Sequence, residues 1–248
     1  MAIRYAGSEV ILHDPLCSGE VATGDQADPH RRPTRSIRPK TAAEIAFLGP
    51  GPSASTNARL RFGYMGEIET ARLILRPVLR DDLDALARIY ARPEVARYTS
   101  RTGRITRDQS DDIVEHSARL WEQYGYGPWT AIDRATGVII GRVGLNLLAD
   151  WPGADKWEVG WELDPTFWGR GLATEGGRVG VRLGFEAAGL HRIISATLAQ
   201  NRASRRVMEK CGLNYKGTMV YHGTELVWYA INRGEWDWRQ GLPAATPA

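Results

Sequence analysis

The sequence predicts an α+β domain, a mixed, mostly antiparallel sheet flanked by helices, preceded by an N-terminal extension of low order. Three observations predict it. Short runs of alternating polar and apolar residues are joined by tight turns, as antiparallel hairpins require. Between them lie longer stretches with apolar residues at helical spacing. Residues 1–64, by contrast, are dominated by Gly, Pro, Ser, Ala, Asp and Arg and hold neither period.

The chain of 248 residues is long enough for one domain with a buried core, and its 43% hydrophobic and 25% charged residues are ordinary globular values. A formal net charge of +3 without a dense Lys/Arg stripe argues against a nucleic-acid partner, and the basic piece 30–40 reads as a solvated segment. Cys17 and Cys211 stand far apart, outside any CxxC or Cys/His cluster, so no metal is expected and a reducing, cytoplasmic compartment fits. No run approaches the roughly 18 apolar residues of a membrane span. The apolar residues at Val10–Leu12 are broken at once by His13, Asp14 and Pro15, unlike a signal-peptide core. Residues 1–64 therefore read as an extension, 65–240 as the domain and 241–248 as a flexible tail. Met65 opens the first domain-like stretch, which makes it the expected natural start of translation.

Within the domain, 72–76 (RLILR) alternates as a half-buried strand does, and Pro77 limits it. Asp81 and Asp82 then open an amphipathic helix with Leu83, Leu86, Ala87 and Tyr90 on one face, their carboxylates favouring the helix dipole. A second helix is expected over 107–123, carrying Ile113, Ala118, Leu120 and Trp121. Strands follow at 128–133, 138–146 and 156–163, the first two joined through the short connection 134–137. A helix at 171–188, a strand at 191–198, a helix at 203–211 and strands at 215–220 and 225–232 complete the order. No internal repeat or heptad seam interrupts it. The last strand could pair across a homodimer; a monomer fits as well.

The stretch EVGWELDPTFWGRGLATE, 158–175, ends a strand at Leu163, turns at Asp164 and Pro165, and passes Gly169 and Gly171 straight into a helix. Glycines there admit positive φ and a close backbone approach. The N–H groups of the first helical turn then converge where the helix dipole favours an anion, such as a pyrophosphate. GRG has neither the GxGxxG spacing of dinucleotide folds nor the GK[ST] of a P-loop. Taken alone, a tight strand-to-helix turn explains it equally well. After one more strand comes NRASRRVMEKCGLNYKG, 201–217.

Together, WGRGLATE and NRASRRVMEKCGL resemble the acyl-CoA-binding core of the GNAT N-acetyltransferase superfamily. The opening ETARLILRPVLRDDLDAL, 69–86, resembles its branch of ribosomal-protein N-terminal alanine acetyltransferases, the Rim type. The resemblance covers 67–238, and residues 1–64 have no counterpart in it. It implies a GNAT-like sheet, acetyl-CoA as cosubstrate without a metal, and transfer of the acetyl group to a primary amine. The residues it implies around the CoA pyrophosphate, through backbone amides, are Trp168, Gly169, Arg170, Gly171, Leu172 and Ala173. Where this chain has Arg170 the family often has Gln, so a phosphate contact and a water-facing side chain both stay open. Asn201 falls where the family hydrogen-bonds the pantetheine arm, and Ser204 where this branch carries a serine that protonates the leaving thiolate. Helix capping explains both residue types equally. Arg205, Arg206 and Lys210 either reach the nucleotide phosphates or form an exposed basic face.

Acetyl transfer from a thioester needs a deprotonated amine and a protonated leaving sulfur. Glu158 and Glu162 are the candidate bases, because period 2 puts both on one face of the strand, opposite Val159, Trp161 and Leu163. The alternative is that one or both are ordinary outward-facing residues. Glu175, in the first turn of the next helix, reads as structural. His191 and His222 read as loop residues, and Cys211 as a buried small hydrophobe, so a covalent acetyl-enzyme is disfavoured. The nine tryptophans read mainly as packing, with Trp129, Trp157, Trp161 and Trp168 flanking the expected cleft. Branch resemblance points to a protein N-terminal α-amine as acceptor. A small-molecule amine (antibiotic, polyamine or amino-acid derivative) and a non-catalytic acyl-CoA-binding module are the competing readings. Acceptor choice is expected to lie in 92–128 and 147–155.

Overall fold

A computed structural model describes residues 67–239. The extension 1–64, the proposed start at Met65 and the tail 241–248 lie outside the described residues. In chain order the elements are β1 (Ile68–Glu69), β2 (Leu73–Pro77), α1 (Leu83–Tyr90), α2 (Pro93–Thr99), α3 (Arg107–Tyr124), β3 (Pro128–Asp133), β4 (Ile139–Leu147) and β5 (Trp157–Leu163). They continue with α4 (Leu172–Glu186), β6 (Arg192–Thr197), α5 (Arg202–Lys210), β7 (Asn214–Tyr221), β8 (Thr224–Asn232) and α6 (Arg233–Arg239). All strands join one sheet in the order β1-β2-β3-β4-β5-β6-β8-β7. Every neighbouring pair is antiparallel except β5 and β6. The expected α+β architecture is thus the observed one.

The helices expected at 107–123, 171–188 and 203–211 are α3, α4 and α5, with ends shifted by a residue or two, as fraying termini allow. Two short helices, α2 and α6, and the two-residue strand β1 were not expected. α2 starts on Pro93, which reads as a break in the sequence but is the favoured residue of a first helical turn. The β8 strand lies between β6 and β7, so both its edges are occupied. The 225–232 strand thus has no free edge in this sheet, whose outer strands are β1 and β7.

Each helix is held to the sheet by what its facing residues leave room for. A Cβ on Gly176 would stand 2.7 Å from Val143 Cγ1, so only glycine lets α4 lie this close to β4. That places α4 on the face carrying Val143, Val159 and Trp161. On the other face, α3 receives Arg142, whose Nη1 donates to Ser117 Oγ at 2.8 Å.

Asp82 stands at the opening of α1, as the sequence suggested, but its carboxylate is buried and bonded across elements rather than serving the helix dipole alone. It is 2% exposed and ends the short 3-10 turn Arg80–Asp82 before α1. Arg76 Nη1 and Nη2 donate to its two oxygens at 2.8 and 2.6 Å, the Thr130 hydroxyl donates at 2.6 Å and the Leu79 N–H at 2.9 Å. It therefore ties β2, β3 and the start of α1 together. Burial alone would raise its pKa, but the hydrogen bonds from Arg76, Thr130 and Leu79 hold the carboxyl below its ordinary value.

Asp82→Ala leaves the partly buried Arg76 and the Thr130 hydroxyl unpaired. Urea denaturation at pH 7 is expected to show a loss of about 3 kcal/mol. Because the folded pKa is depressed, this stabilisation is complete above the unfolded carboxylate value of about 3.9 and is lost as pH falls through the folded value; the variant's acid limb is expected to be correspondingly shallower.

Candidate active site

The site forms where β5 and β6 run parallel. The register that joins β4 to β5 continues from Gly141↔Leu163 to Leu147↔Trp157, whereas β5 and β6 meet only at Glu158↔Ile194. Parallel strands have their C-terminal ends on the same side of a sheet, so the turns leading into α4 and α5 open on one side.

The turn after β5 is built by local hydrogen bonds. Asp164 Oδ1 accepts from the Thr166 N–H at 2.8 Å and its hydroxyl at 2.7 Å, and Trp168 Nε1 donates to the Leu163 carbonyl at 2.7 Å. Gly169 and Gly171 take φ of 76° and 80°, the left-handed region that glycine enters without a Cβ penalty. Gly171 is the N-cap of α4 and brings no side chain to cap it, which leaves the first-turn amides for an anion. Arg170 folds back on the turn: Nη2 donates to the Thr166 carbonyl at 3.0 Å, and the guanidinium lies 4.9 Å from the Phe167 ring centre. Glu175 has the structural place expected of it, accepting from the Thr70 hydroxyl at 2.7 Å and from the Arg72 N–H and Nε, each at 2.8 Å.

On the β6 side, Asn201 is the N-cap of α5. Its Oδ1 accepts from the Ser204 N–H at 3.2 Å and its Nδ2 donates to Thr197 Oγ1 at 3.1 Å. Ser204 is not a cap; it stands inside the first turn, fully buried, and its hydroxyl has no partner among the described residues. Arg205 turns away towards the sheet, donating from Nε to the Tyr229 hydroxyl at 3.0 Å, while Arg206 and Lys210 are exposed.

Glu158 and Glu162 share a face of β5, as the period required, but neither is an outward-facing residue: they are 1% and 5% exposed. Glu158 Oε1 accepts from the Ala196 N–H at 3.3 Å, bridging to β6. Glu162 Oε2 lies 3.1 Å from Arg142 Nε in a buried ion pair. Burial raises the Glu162 pKa, with Arg142 opposing it. Pro128, Arg142, Gly144 and Asn146 complete the cleft around the two carboxylates. Arg142 and Asn146 were missed from sequence, because the cross-strand pairs Arg142↔Glu162 and Asn146↔Glu158 exist only once the β4–β5 register is known.

Cys211 is buried, and burial pushes its thiol up to about 12, which leaves it without thiolate character. His191 is exposed just before β6, and His222 sits in the β7–β8 hairpin, paired with Asp150. Trp129 and Trp161 are core residues at 1% exposure, and Trp157 packs 4.6 Å from Tyr126 between ring centres. Among the described residues, no group of His, Cys, Asp or Glu is arranged to hold a metal, and no helix is long and apolar enough to cross a membrane.

The Acetyltransferase (GNAT) domain family matches residues 72–214, a span from β2 to the start of β7. The chain belongs to this family. A relative from Aspergillus fumigatus, named FsC-acetyl coenzyme A-N(2)-transacetylase, is 32% identical over 186 residues, covering 68% of this chain and 77% of that one. The uncharacterized N-acetyltransferase YoaA of Bacillus subtilis is 31% identical over 152 residues, 61% of this chain and 85% of its own. Among solved structures, a GNAT-family acetyltransferase from Bacillus anthracis superimposes with a TM-score of 0.55 at 25% identity, covering 67% of this chain and 98% of that one. The protein is accordingly an acetyl-CoA-dependent acyltransferase. The uncapped α4 amides behind two left-handed glycines and the orphaned Ser204 hydroxyl fit that cosubstrate.

Arg142→Leu strands the Glu162 carboxyl in the sheet, and a thermodynamic cycle with Glu162→Leu isolates the pair. The single Arg142→Leu is expected to cost about 3 to 5 kcal/mol in chemical denaturation, most of it recovered in the double variant.

Proposed function

We propose that residues 65–240 transfer acetyl from acetyl-CoA to the α-amine of a protein N-terminus, by direct attack and in a reducing, cytoplasmic setting. One bonded series supports this reading. Glu158 accepts from the Ala196 N–H; the next residue, Thr197, receives Asn201 Nδ2; and Asn201 Oδ1 receives the Ser204 N–H. A carboxylate and a serine are thereby held around the end of one strand.

Acetyl-CoA supplies the thioester. The amides of Trp168, Gly169, Arg170, Gly171, Leu172 and Ala173 hold its pyrophosphate, and Asn201 orients the arm between β5 and β6. Glu158 accepts the proton of the attacking amine, and Glu162, with its raised pKa, is the second carboxylate able to take it. Ser204 is the hydrogen donor towards the departing sulfur. An α-amine, at a pKa of about 8, releases its proton to such a base far more readily than a lysine at about 10.4. The 69–86 segment, with its likeness to ribosomal-protein acetyltransferases, supports a protein acceptor. A small-molecule amine is the second reading, favoured by the Aspergillus relative whose name places the acetyl group on an N(2) nitrogen.

CoA release from acetyl-CoA against N-terminal peptides, free lysine, polyamines and aminoglycosides decides between them. Turnover with peptides is expected, and turnover confined to polyamines or aminoglycosides overturns the protein-acceptor reading. Ser204→Ala and Glu158→Gln are each expected to lower kcat about a hundredfold or more while acetyl-CoA still binds. Gly171→Ala, forced to φ of 80°, is expected instead to raise the acetyl-CoA Kd with kcat at saturation little changed.

A further inference from the structure

The chain as a whole carries a formal charge of +3, but that total hides an uneven distribution. Residues 88–107, from the end of α1 through α2 to the start of α3, hold six arginines against one carboxylate, Glu94, a local charge of +5. Two of the six are engaged. Arg92 Nε stands 3.8 Å from Glu94, and Arg107 pairs with Asp84. Arg88, Arg97, Arg101 and Arg104 are exposed and make no ion pair among the described residues. The next carboxylates in the chain, Asp108, Asp111 and Asp112, stand in the first two turns of α3, where the helix dipole favours them.

This basic stretch adjoins the cleft. The loop after α2 rests against the β7–β8 hairpin, since a Cβ on Gly223 would stand 3.7 Å from Arg101 Nη2. Asp150, which the β4–β5 loop brings to the same hairpin, is already paired: His222 Nε2 lies 2.5 Å from it, and the Tyr221 hydroxyl donates to it. Tyr221 at the hairpin and Leu226 on β8 share an apolar cluster with Ala196. Ala196 is the residue whose N–H meets Glu158 Oε1 at 3.3 Å. The arginine loop and the Glu158 carboxylate are thus linked through one hairpin and one strand.

We propose that Arg97, Arg101 and Arg104 form a docking surface for an acidic stretch of the acceptor polypeptide, a few residues behind the α-amine that enters the cleft. This rests on the protein-acceptor reading and names its substrate class. A guanidinium presents a planar fork that matches a carboxylate through two bonds, and it is more weakly hydrated than an ammonium, which suits arginine to the task. Each exposed pair is weak. Several together act on encounter and KM rather than on the transfer step. A nucleic-acid strand, the other polyanion, calls for open aromatic faces between the charges. In this stretch Tyr90 is buried, and Tyr98 is half-buried with the Arg97 guanidinium 4.7 Å from its ring centre. Charge without stacking fits an acidic polypeptide.

The test uses the full chain and Ala-initiated peptides that share their first residues and continue with an acidic, a neutral or a basic stretch. Wild type is expected to use the acidic peptide with kcat/KM at least about tenfold above that of the neutral one, mainly through KM, and to lose this preference between about 0.05 M and about 0.5 M salt. A triple variant, Arg97→Gln with Arg101→Gln and Arg104→Gln, is expected to melt within a few degrees of wild type and to use acidic and neutral peptides alike. Replacing the same three by Glu is expected to turn the preference to the basic peptide. Binding is read separately, by anisotropy of a labelled, N-acetylated acidic peptide on the CoA-loaded chain, a pair that cannot react. Transfer to peptides without a charge preference, or a preference that survives in the triple variant, overturns the proposal and leaves transfer intact. Arginine-dependent binding of the blocked peptide, with no CoA release from any free peptide, supports the docking surface and overturns the protein-acceptor reading. Arginine-dependent binding of a single-stranded RNA oligonucleotide, with no charge preference among peptides, assigns the surface to nucleic acid and overturns the proposal.

Discussion

The single parallel step in an otherwise antiparallel sheet is the constraint from which the rest of the site follows. Antiparallel neighbours can be joined by hairpins, but two parallel strands need a crossover, and here α4 is that crossover. A crossover returns the chain to the same end of the sheet, so the glycine turn entering α4 and the Asn201 cap entering α5 both begin there. Each presents a helix N-terminus, one with uncapped amides and one with its cap bonded back to β6. Because β5 and β6 meet at one register position only, the remaining backbone between them is not consumed by a ladder. That asymmetry separates a slot from a closed sheet.

The same parallel pair explains why charged groups can be buried in the middle of the protein. Glu158 reaches across it to the Ala196 N–H, and Glu162 is balanced by Arg142, which is itself satisfied by Ser117 on α3. A carboxylate carried on a central strand would ordinarily be too costly to desolvate without such partners. The two carboxylates nevertheless differ in kind. Glu158 accepts from a neutral backbone amide, whereas Glu162 faces a guanidinium and its pKa is raised mainly by burial. Period 2 alone treats them as equivalent; their partners do not.

Two strands away from Glu162, Asp82 performs a purely architectural task with the same chemistry, gathering Arg76, Thr130 and the Leu79 amide so that β2, β3 and the start of α1 are tied together. Glu175 does this on a smaller scale, fastening Thr70 and Arg72 to the first turn of α4 and so steadying the glycine turn from behind. Acidic residues placed by sequence near helix starts thus prove to be tertiary anchors, because the oxygen lone pairs that suit a helix dipole equally suit buried donors from other elements.

Elements long enough to show a period were legible in the chain alone: α3, α4, α5 and the strands β3 to β8 stand where the alternation of apolar residues put them, and the glycine turn and the Asn201 segment were visible as motifs. Short pieces were not, since α2 and α6 span too few residues for a period and α2 opens on a proline. The amino-acid order also placed Glu158 and Glu162 on one face, because strand geometry is local. It could not show that Arg142 faces Glu162 and Ser117 or that Asn146 faces Glu158, because those meetings depend on the register between strands and on where α3 docks. Burial of a carboxylate and the guanidinium that balances it are properties of neighbours far away in the chain, and folding supplies those neighbours.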